Sequence, residues 1–326
     1  MPQFVIEARH ESWPLREAFT ISRGAKTEAR VVVASISHGR FVGRGEAVPY
    51  ARFGETPEGA LADIAALDTD NLSRTTLSDR MRPGAARNAV DCALWDLDAK
   101  RRGVPVAELA GCASPLKPVL TAYTISLDSA DAMAAKARAV ANLPLLKLKL
   151  GGDGDDARMR AVRAARPDAR LIVDANEAWT VEVICGLIAV AAEVGVETIE
   201  QPLPSSDDDA LRGVERAVPI CADESVRTLR DLPRLAGSYD AINIKLDKAG
   251  GLTAALELHR AARAMGFKIM IGSMVATSLA VAPALLLAQD AEWTDLDGPL
   301  LLAKDREPAI SISKGLMSPA DARLWG

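Results

Sequence analysis

One recurrence constrains this chain more than any other feature. Five apolar runs close on a charged residue: Lys149, Asp174, Glu200, Asp223 and Lys245. The intervals are 25 (174−149), 26 (200−174), 23 (223−200) and 22 (245−223) residues. Alanine-rich stretches such as "TVEVICGLIAVAAEVG" and "LTAALELHRAARAMG" lie between strands, each ending in glycine, a helix stop signal. "VLTAYT", "LLKLKL", "RLIVDAN", "VETIEQP", "VPICADES", "DAINIKL", "KIMIGS" and "EWTDLDG" supply eight strands. Strands alternating with helices predict an α/β fold with a parallel sheet, closed into a TIM-type barrel. An open doubly wound sheet is the other solution, but no glycine-rich dinucleotide loop follows a strand. Barrels build active sites at the C-terminal ends of their strands, where each of the five charges falls. One such charge is an ordinary solvated flank; five at a repeated interval mark a rim.

The residues ahead of this pattern are mixed. "VVVASI" and "RFVGRGEA" predict two strands joined at "SHGR", a helix begins at Pro57, and "AARNAVDCALWDLDAKRRG" predicts a helix stopped by Gly103. This is an α+β block. The whole chain of 326 residues has a net charge of −5 and no basic stripe, which argues against a nucleic-acid partner. Its most apolar stretch, "MVATSLAVAPALLLA", contains Pro283 and falls short of the roughly 20 residues of a membrane span; a buried helix is expected. The opening "MPQFVIEARHESW" lacks the plan of a signal peptide. Four scattered cysteines without a paired motif predict buried thiols in a reducing, cytoplasmic setting.

The rim residues define the chemistry. Asp174, Glu200 and Asp223 are three converging carboxylates, which stay ionised together only beside a cation. All-oxygen ligands favour a hard divalent ion, with Mg²⁺ the first choice. His10, His38 and His259 end no barrel strand, so neither a histidine-based zinc site nor a histidine base is expected. Lysine is left to move protons. Lys149 belongs to the second predicted barrel strand and Lys245 to the sixth, opposite positions in a ring of eight. "LLKLKL" also places Lys147 on the same face as Lys149. Either Lys147 helps keep Lys149 deprotonated or it contacts a substrate carboxylate; pairing with rim acids is the plainer role. Two opposed lysines and a divalent cation suit abstraction of a proton α to a carboxylate, and two bases on opposite faces permit inversion.

"KLK", "DAN", "EQP", "ADES" and "NIKLDKAGG" resemble, in order and spacing, the muconate-lactonizing subgroup of the enolase superfamily, whose sites combine a lysine base with Mg²⁺. The resemblance implies an α+β capping domain over residues 1–115, a (β/α)7β barrel over 116–298 and a C-terminal segment, 299–326, returning to the cap. It implies that Asp174, Glu200 and Asp223 hold Mg²⁺ and that Lys149 and Lys245 are the acid/base pair. "DLDG" resembles the Asp-x-Asp of dipeptide epimerases, so Asp295 and Asp297 are expected to leave one face of the last strand and bind a substrate ammonium. In the cap, "FTISRGAKTEARV" matches an arginine loop of the family, which implies that Arg23, with Lys26 second, faces an acidic side chain. Thr124 matches a substrate-contacting threonine, whereas Leu279 stands where related enzymes can carry arginine. The implied reaction is epimerisation of a small-molecule dipeptide, L-Ala-L/D-Glu, without membrane association; a homo-oligomer is left open. N-acylamino acid racemase and o-succinylbenzoate synthase are rival activities of the subgroup. Outside it stand a non-catalytic dipeptide-binding barrel and a Schiff-base aldolase, the latter leaving the carboxylates unexplained.

Overall fold

The computed structural model describes residues 4–112 and 114–326. The chain begins with a long antiparallel hairpin, β1 (Val5–Ile21) and β2 (Gly24–His38), and β3 (Phe41–Ala47) pairs with the other edge of β2. The β2–β3 turn uses Gly39 at φ +60°, a conformation open to glycine without steric cost. The sequence reading assigned no strand to residues 5–21. Their register with β2 shifts between Pro14 and Phe19, where proline lacks a ladder donor, and the strand is polar on much of both faces.

Helix α1 (Pro57–Ala65) starts at Thr56, whose hydroxyl accepts from the Gly59 N–H at 3.0 Å, a standard N-cap followed by proline. Helix α2 (Ala85–Arg102) lies across the sheet and stops at Gly103 in the left-handed conformation. It approaches β3 very closely. A Cβ on Gly43 would fall 2.1 Å from the Ala93 carbonyl oxygen, and one on Gly45 would fall 2.2 Å from that of Ala89.

β4 (Val119–Leu120) leads into the barrel. Its strands are β5 (Tyr123–Ile125), β6 (Leu145–Lys149), β7 (Arg170–Asp174), β8 (Val196–Glu200), β9 (Ile220–Ala222), β10 (Ala241–Lys245), β11 (Lys268–Gly272) and β12 (Trp293–Asp295), in sequence order around an eight-stranded parallel sheet. The Ala122 N–H donates to the Thr294 carbonyl at 2.8 Å, bringing the first and last strands together. The predicted single strand "VLTAYT" is therefore two. Thr121 bonds outward to the Gly315 carbonyl while Ala122 bonds into the barrel, and β4 pairs instead with β14 (Leu316–Met317), which pairs with β13 (Ile312–Ser313).

The period of two along the strands explains how lysines come to lie inside. Ala122, Leu145, Ile172, Cys221, Ala241, Met270 and Trp293 form an apolar cluster within the barrel. Two residues on come Lys147, Asp174, Asp223, Asn243 and Asp295; four residues on come Lys149 and Lys245. Intervening residues such as Leu146, Leu148, Val173, Ile242 and Ile244 join the outer core against the helices. The helix Ser278–Leu287 is buried throughout, as its composition predicts, and no helix among the described residues is long and apolar enough to cross a membrane. All four cysteines are free; Cys92 and Cys221 are buried, but Cys112 is half-buried and Cys185 exposed, which corrects the expectation of four buried thiols.

Cap and barrel share a polar seam. Buried Asp247, just beyond β10, accepts from the Val48 N–H and Asn88 Nδ2, both at 2.9 Å. Arg87 donates to the Ala249 and Gly250 carbonyls. The C-terminal residues also reach α2: Trp325 Nε1 donates to the Cys92 carbonyl at 3.0 Å and the Gly326 N–H to Asp96 at 2.9 Å.

Candidate active site

The strand ends bring acids and lysines into one buried network. Lys147 Nζ lies 2.6 Å from Asp295 Oδ2, 2.6 Å from Glu200 Oε2 and 3.2 Å from Asp174 Oδ2. Lys149 Nζ donates to the same Asp174 oxygen at 2.6 Å. Lys245 Nζ donates to Asp223 Oδ2 at 2.7 Å and stands 4.0 Å from Glu200 Oε1. β6 and β10 are four strands apart in the ring, so Lys149 and Lys245 enter from opposing sides.

Burial acts to raise Asp174 and Asp223, but adjacent lysines outweigh it: Lys149 and Lys147 hold Asp174 low, and Lys245 and Lys248 hold Asp223 well below the usual carboxylate range. Glu200 goes the other way. Burial, reinforced by Asp174, pushes it up to about 7 against the pull of Lys147. Burial would lower Lys147 and Lys245, yet Asp295 and Glu200 raise the first and Asp223 and Glu200 raise the second. A base with a depressed pKa is thus not what this geometry presents at Lys245, because each ammonium sits directly on a carboxylate. Lys147 acts chiefly as a bridge among three acids.

Among the described residues no three carboxylates close around a common point; ammonium groups stand between them. The donor set nevertheless suits a hard cation. Asp174, Glu200 and Asp223 come from neighbouring strand ends and offer only oxygen, and the charges of Asp174 and Asp223 both push Glu200 up. Glu200 Oε2 touches Lys147 but has no hydrogen bond, and Asp295 Oδ1 is buried without one, an arrangement that is costly to leave unmet.

β12 ends at Asp295, and Asp297 lies beyond it at the start of the helix Gly298–Leu301. The two acids therefore do not leave one strand face as expected, yet they remain close enough to influence each other. Asp297 Oδ2 accepts from the Thr124 N–H at 2.6 Å, and burial together with Asp295 pushes Asp297 up to about 7. Thr124 thus contributes its backbone to this site. Arg23, at the tip of the β1–β2 hairpin, donates to Glu224 at 2.6 Å, the Tyr50 hydroxyl at 2.7 Å and the Asn176 carbonyl at 2.8 Å. Arg52 pairs with Glu177. These contacts fasten cap loops to the barrel rim. Leu279 is buried in its helix. Two hollows of about 390 and 460 Å³ lie away from this chemistry, the first in the cap and the second beside the N-terminal ends of β10 and β11.

Comparison with known proteins agrees with this architecture. The family pattern described as the mandelate racemase/muconate lactonizing enzyme N-terminal domain matches residues 4–111, and that described as enolase C-terminal domain-like matches residues 131–322. The chain belongs to the enolase superfamily. This superfamily member is 44% identical over 315 residues to the L-Ala-D/L-Glu epimerase of Escherichia coli (strain K12), covering 95% of this chain and 98% of the relative. It is 43% identical over 301 residues to an N-acetyl-D-glutamate racemase of a Pseudoalteromonas species, covering 91% and 95%. A crystal structure of an enolase family member from Agrobacterium tumefaciens, with homology to dipeptide epimerases and containing sodium and L-Ala-L-Glu with an ordered loop, matches with a TM-score of 0.97 at 51% identity, covering 99% and 100%.

Several side chains of this superfamily member escaped the sequence reading. Asn243 Nδ2 donates to Glu200 Oε1 at 2.8 Å, and its position two residues before Lys245 was a usable signal. Lys248 donates to Asp223 Oδ1 at 2.6 Å and to the Asn243 carbonyl at 3.0 Å; it lies in the quoted "NIKLDKAGG" without ending a strand. Glu224 and Tyr50 gave no periodic signal. Gly272 ends β11 at the level of Lys245, and a Cβ there would lie 2.7 Å from Asn243 Oδ1 and 3.1 Å from Lys245 Cε.

Proposed function

We propose that this protein is a Mg²⁺-dependent dipeptide epimerase that inverts the second residue, with L-Ala-L/D-Glu as its substrate. The observation that carries the reading is the conjunction of Lys149 and Lys245 on opposing strands with Asp297, an acid offered to a cation at the same mouth. The relatives' names favour the same activity. When bound, Mg²⁺ held by Asp174, Glu200 and Asp223 supplies positive charge beside the substrate carboxylate, as is general in this superfamily.

This chain's own residues do the rest. Asp297, with Asp295 beside it, receives the dipeptide's ammonium. Lys149 and Lys245 flank the α-carbon; one Nζ takes the proton from one face while the other returns a proton to the opposite face. Asp223 holds Lys245 protonated, and Asp174 accepts a hydrogen bond from Lys149 Nζ. Both acids would also hold the cation, and with their oxygens so engaged Lys149 or Lys245 would be released to serve as base. Lys147 keeps positive charge against Glu200 and Asp295, and Lys248 with Asn243 fixes Asp223 and Glu200. The reaction is placed in the cytoplasm, in keeping with four free thiols.

The Pseudoalteromonas relative favours a second reading, racemisation of an N-acylamino acid, whose substrate has no ammonium for Asp297. One experiment separates them. Protein, Mg²⁺ and L-Ala-L-Glu in D₂O should place deuterium on the second α-carbon and form the L,D product, while N-acetylglutamate exchanges far more slowly. Exchange of N-acetylglutamate alone would install the racemase reading.

A further inference from the structure

The three acids assigned to the cation are not held alike. Asp174 and Glu200 are the last residues of β7 and β8 and pair with each other in the sheet. Asp223 lies one residue beyond β9, which ends at Ala222. Pairing of β9 with β8 stops at Cys221, and with β10 at Ala222, so the sheet does not fix Asp223. The break has a local cause. The Gln201 N–H donates to the Cys221 carbonyl at 2.9 Å, and in a parallel ladder the Gln201 carbonyl would next accept from the Asp223 N–H. Gln201 instead has φ +34°, and its carbonyl accepts from the Glu177 N–H at 2.9 Å. The side chain makes the missing bond: Gln201 Oε1 accepts from the Asp223 N–H at 2.9 Å and from the Ser225 N–H at 3.2 Å.

Gln201 is fully buried, and its surroundings allow the amide one orientation. Nε2 lies 2.9 Å from the Leu203 carbonyl, 2.8 Å from Ser225 Oγ and 2.9 Å from the Tyr239 hydroxyl. A carbonyl can only accept, so the nitrogen faces Leu203 and the oxygen faces the two backbone donors. Behind the amide, Ser225 Oγ and the Tyr239 hydroxyl donate to buried Asp208 at 2.7 and 2.5 Å, and Arg234 pairs with the same acid. Both hydroxyl protons are thus committed to Asp208, which leaves the oxygens as acceptors for Gln201. On the other side of Asp223, Lys248 Nζ holds its carbonyl at 2.5 Å and its Oδ1 at 2.6 Å. Oδ2 is left to Lys245, at 2.7 Å. We infer that Gln201 is the positioning residue for Asp223. Its amide replaces the lost ladder bond, locks the ends of β8 and β9 together, and so sets the spacing of Glu200 and Asp223 for a divalent cation and the seat of Lys245. The assignment rests on the cation-dependent reading of this site.

The test uses the full chain and two readouts: binding of Mg²⁺ by calorimetry without substrate, and epimerisation of L-Ala-L-Glu at saturating Mg²⁺. Gln201→Met keeps the length of the side chain and removes both polar atoms of the amide. The Kd for Mg²⁺ should rise roughly tenfold or more, the range for groups that orient metal ligands. At saturating Mg²⁺ kcat should fall by a similar factor, because Lys245 moves with Asp223, while KM for the dipeptide changes less. Tyr239→Phe, which leaves the Leu203 bond in place, should raise the same Kd by a smaller factor, and it decides the matter if Gln201→Met does not fold. A wild-type Kd in folded Gln201→Met, or in Tyr239→Phe where the first variant does not fold, overturns the assignment and leaves the epimerase reading standing; a loss of stability in urea alone would then describe Gln201 fully. A raised Kd in the variant, together with no exchange of L-Ala-L-Glu by the wild-type protein, overturns the epimerase reading and keeps the assignment.

Discussion

Gly272 shows how a single missing side chain protects the chemistry. Its absent Cβ leaves room for Lys245 and Asn243, and a methyl group there must move one of them. Gly272→Ala should therefore cut kcat by more than tenfold, since small displacements of a reacting group are expensive, while circular dichroism stays native. Unchanged kcat would mean that Lys245 has room to spare. The two lysines make a sharper test. Lys149→Ala and Lys245→Ala should each abolish net epimerisation, yet each should retain α-deuteration of one antipode, and the retained antipode should differ between them. Interconversion at a near wild-type rate by Lys245→Ala would rule out two-base chemistry.

Two elements carry the cap's influence on the site, the β1–β2 hairpin and the polar seam behind it. Arg23 is one of the hairpin's fasteners, so Arg23→Ala should weaken turnover of L-Ala-L-Glu and L-Ala-L-Leu alike; a loss confined to the acidic dipeptide would make Arg23 a direct ligand. At the seam, burial pushes the Asp247 pKa up to about 7 from its ordinary 3.8. Across that window the native state holds a proton that the unfolded chain has released, so Asp247 makes stability fall as pH rises, with the loss complete above about 7. Asp247→Asn keeps the acceptor oxygen for Val48 and Asn88. The variant should be more stable than wild type at pH 8, on the order of 2–4 kcal/mol from the size of the shift, and nearly equal to it at pH 4. A stability difference independent of pH, read from urea unfolding, would show that Asp247 does not titrate in this range. Much at this scale was hidden from sequence reasoning. β1 lacked a clean apolar alternation, and Asp247 looked like one more acid in a loop. Where burial imposed a period of two, as at Lys147 and Lys149, the pattern was legible, although Asn243, two residues before Lys245 on the same face, was passed over.

At the scale of the whole molecule, the site draws on residues from the hairpin near the start of the chain to Asp297 near its end. The strand order and the rim charges followed from spacing alone, but the contact of Lys147 with Asp295 joins residues 148 positions apart, and closure of the ring is what brings them together. The same long-range assembly makes a cation a stabiliser of the native fold. Mg²⁺ should raise Tm progressively with concentration, since a ligand at a hundred times its Kd adds about 2.7 kcal/mol, and Glu200→Gln should largely remove the rise. An equal rise in wild type and variant would locate the ion elsewhere.

The close seat of α2 on β3, made possible by the bare Cα atoms of Gly43 and Gly45, bears on how such a protein can change its diet. Nearly any side chain at either position pushes away the helix that carries Asn88 and Arg87 to the barrel, disturbing the seam and the aim of the hairpin together. The angle of the cap is therefore closed to gradual adjustment. A lineage that takes up new substrates is left to rewrite the few side chains at the hairpin tip, one at a time, over lysines that do not move.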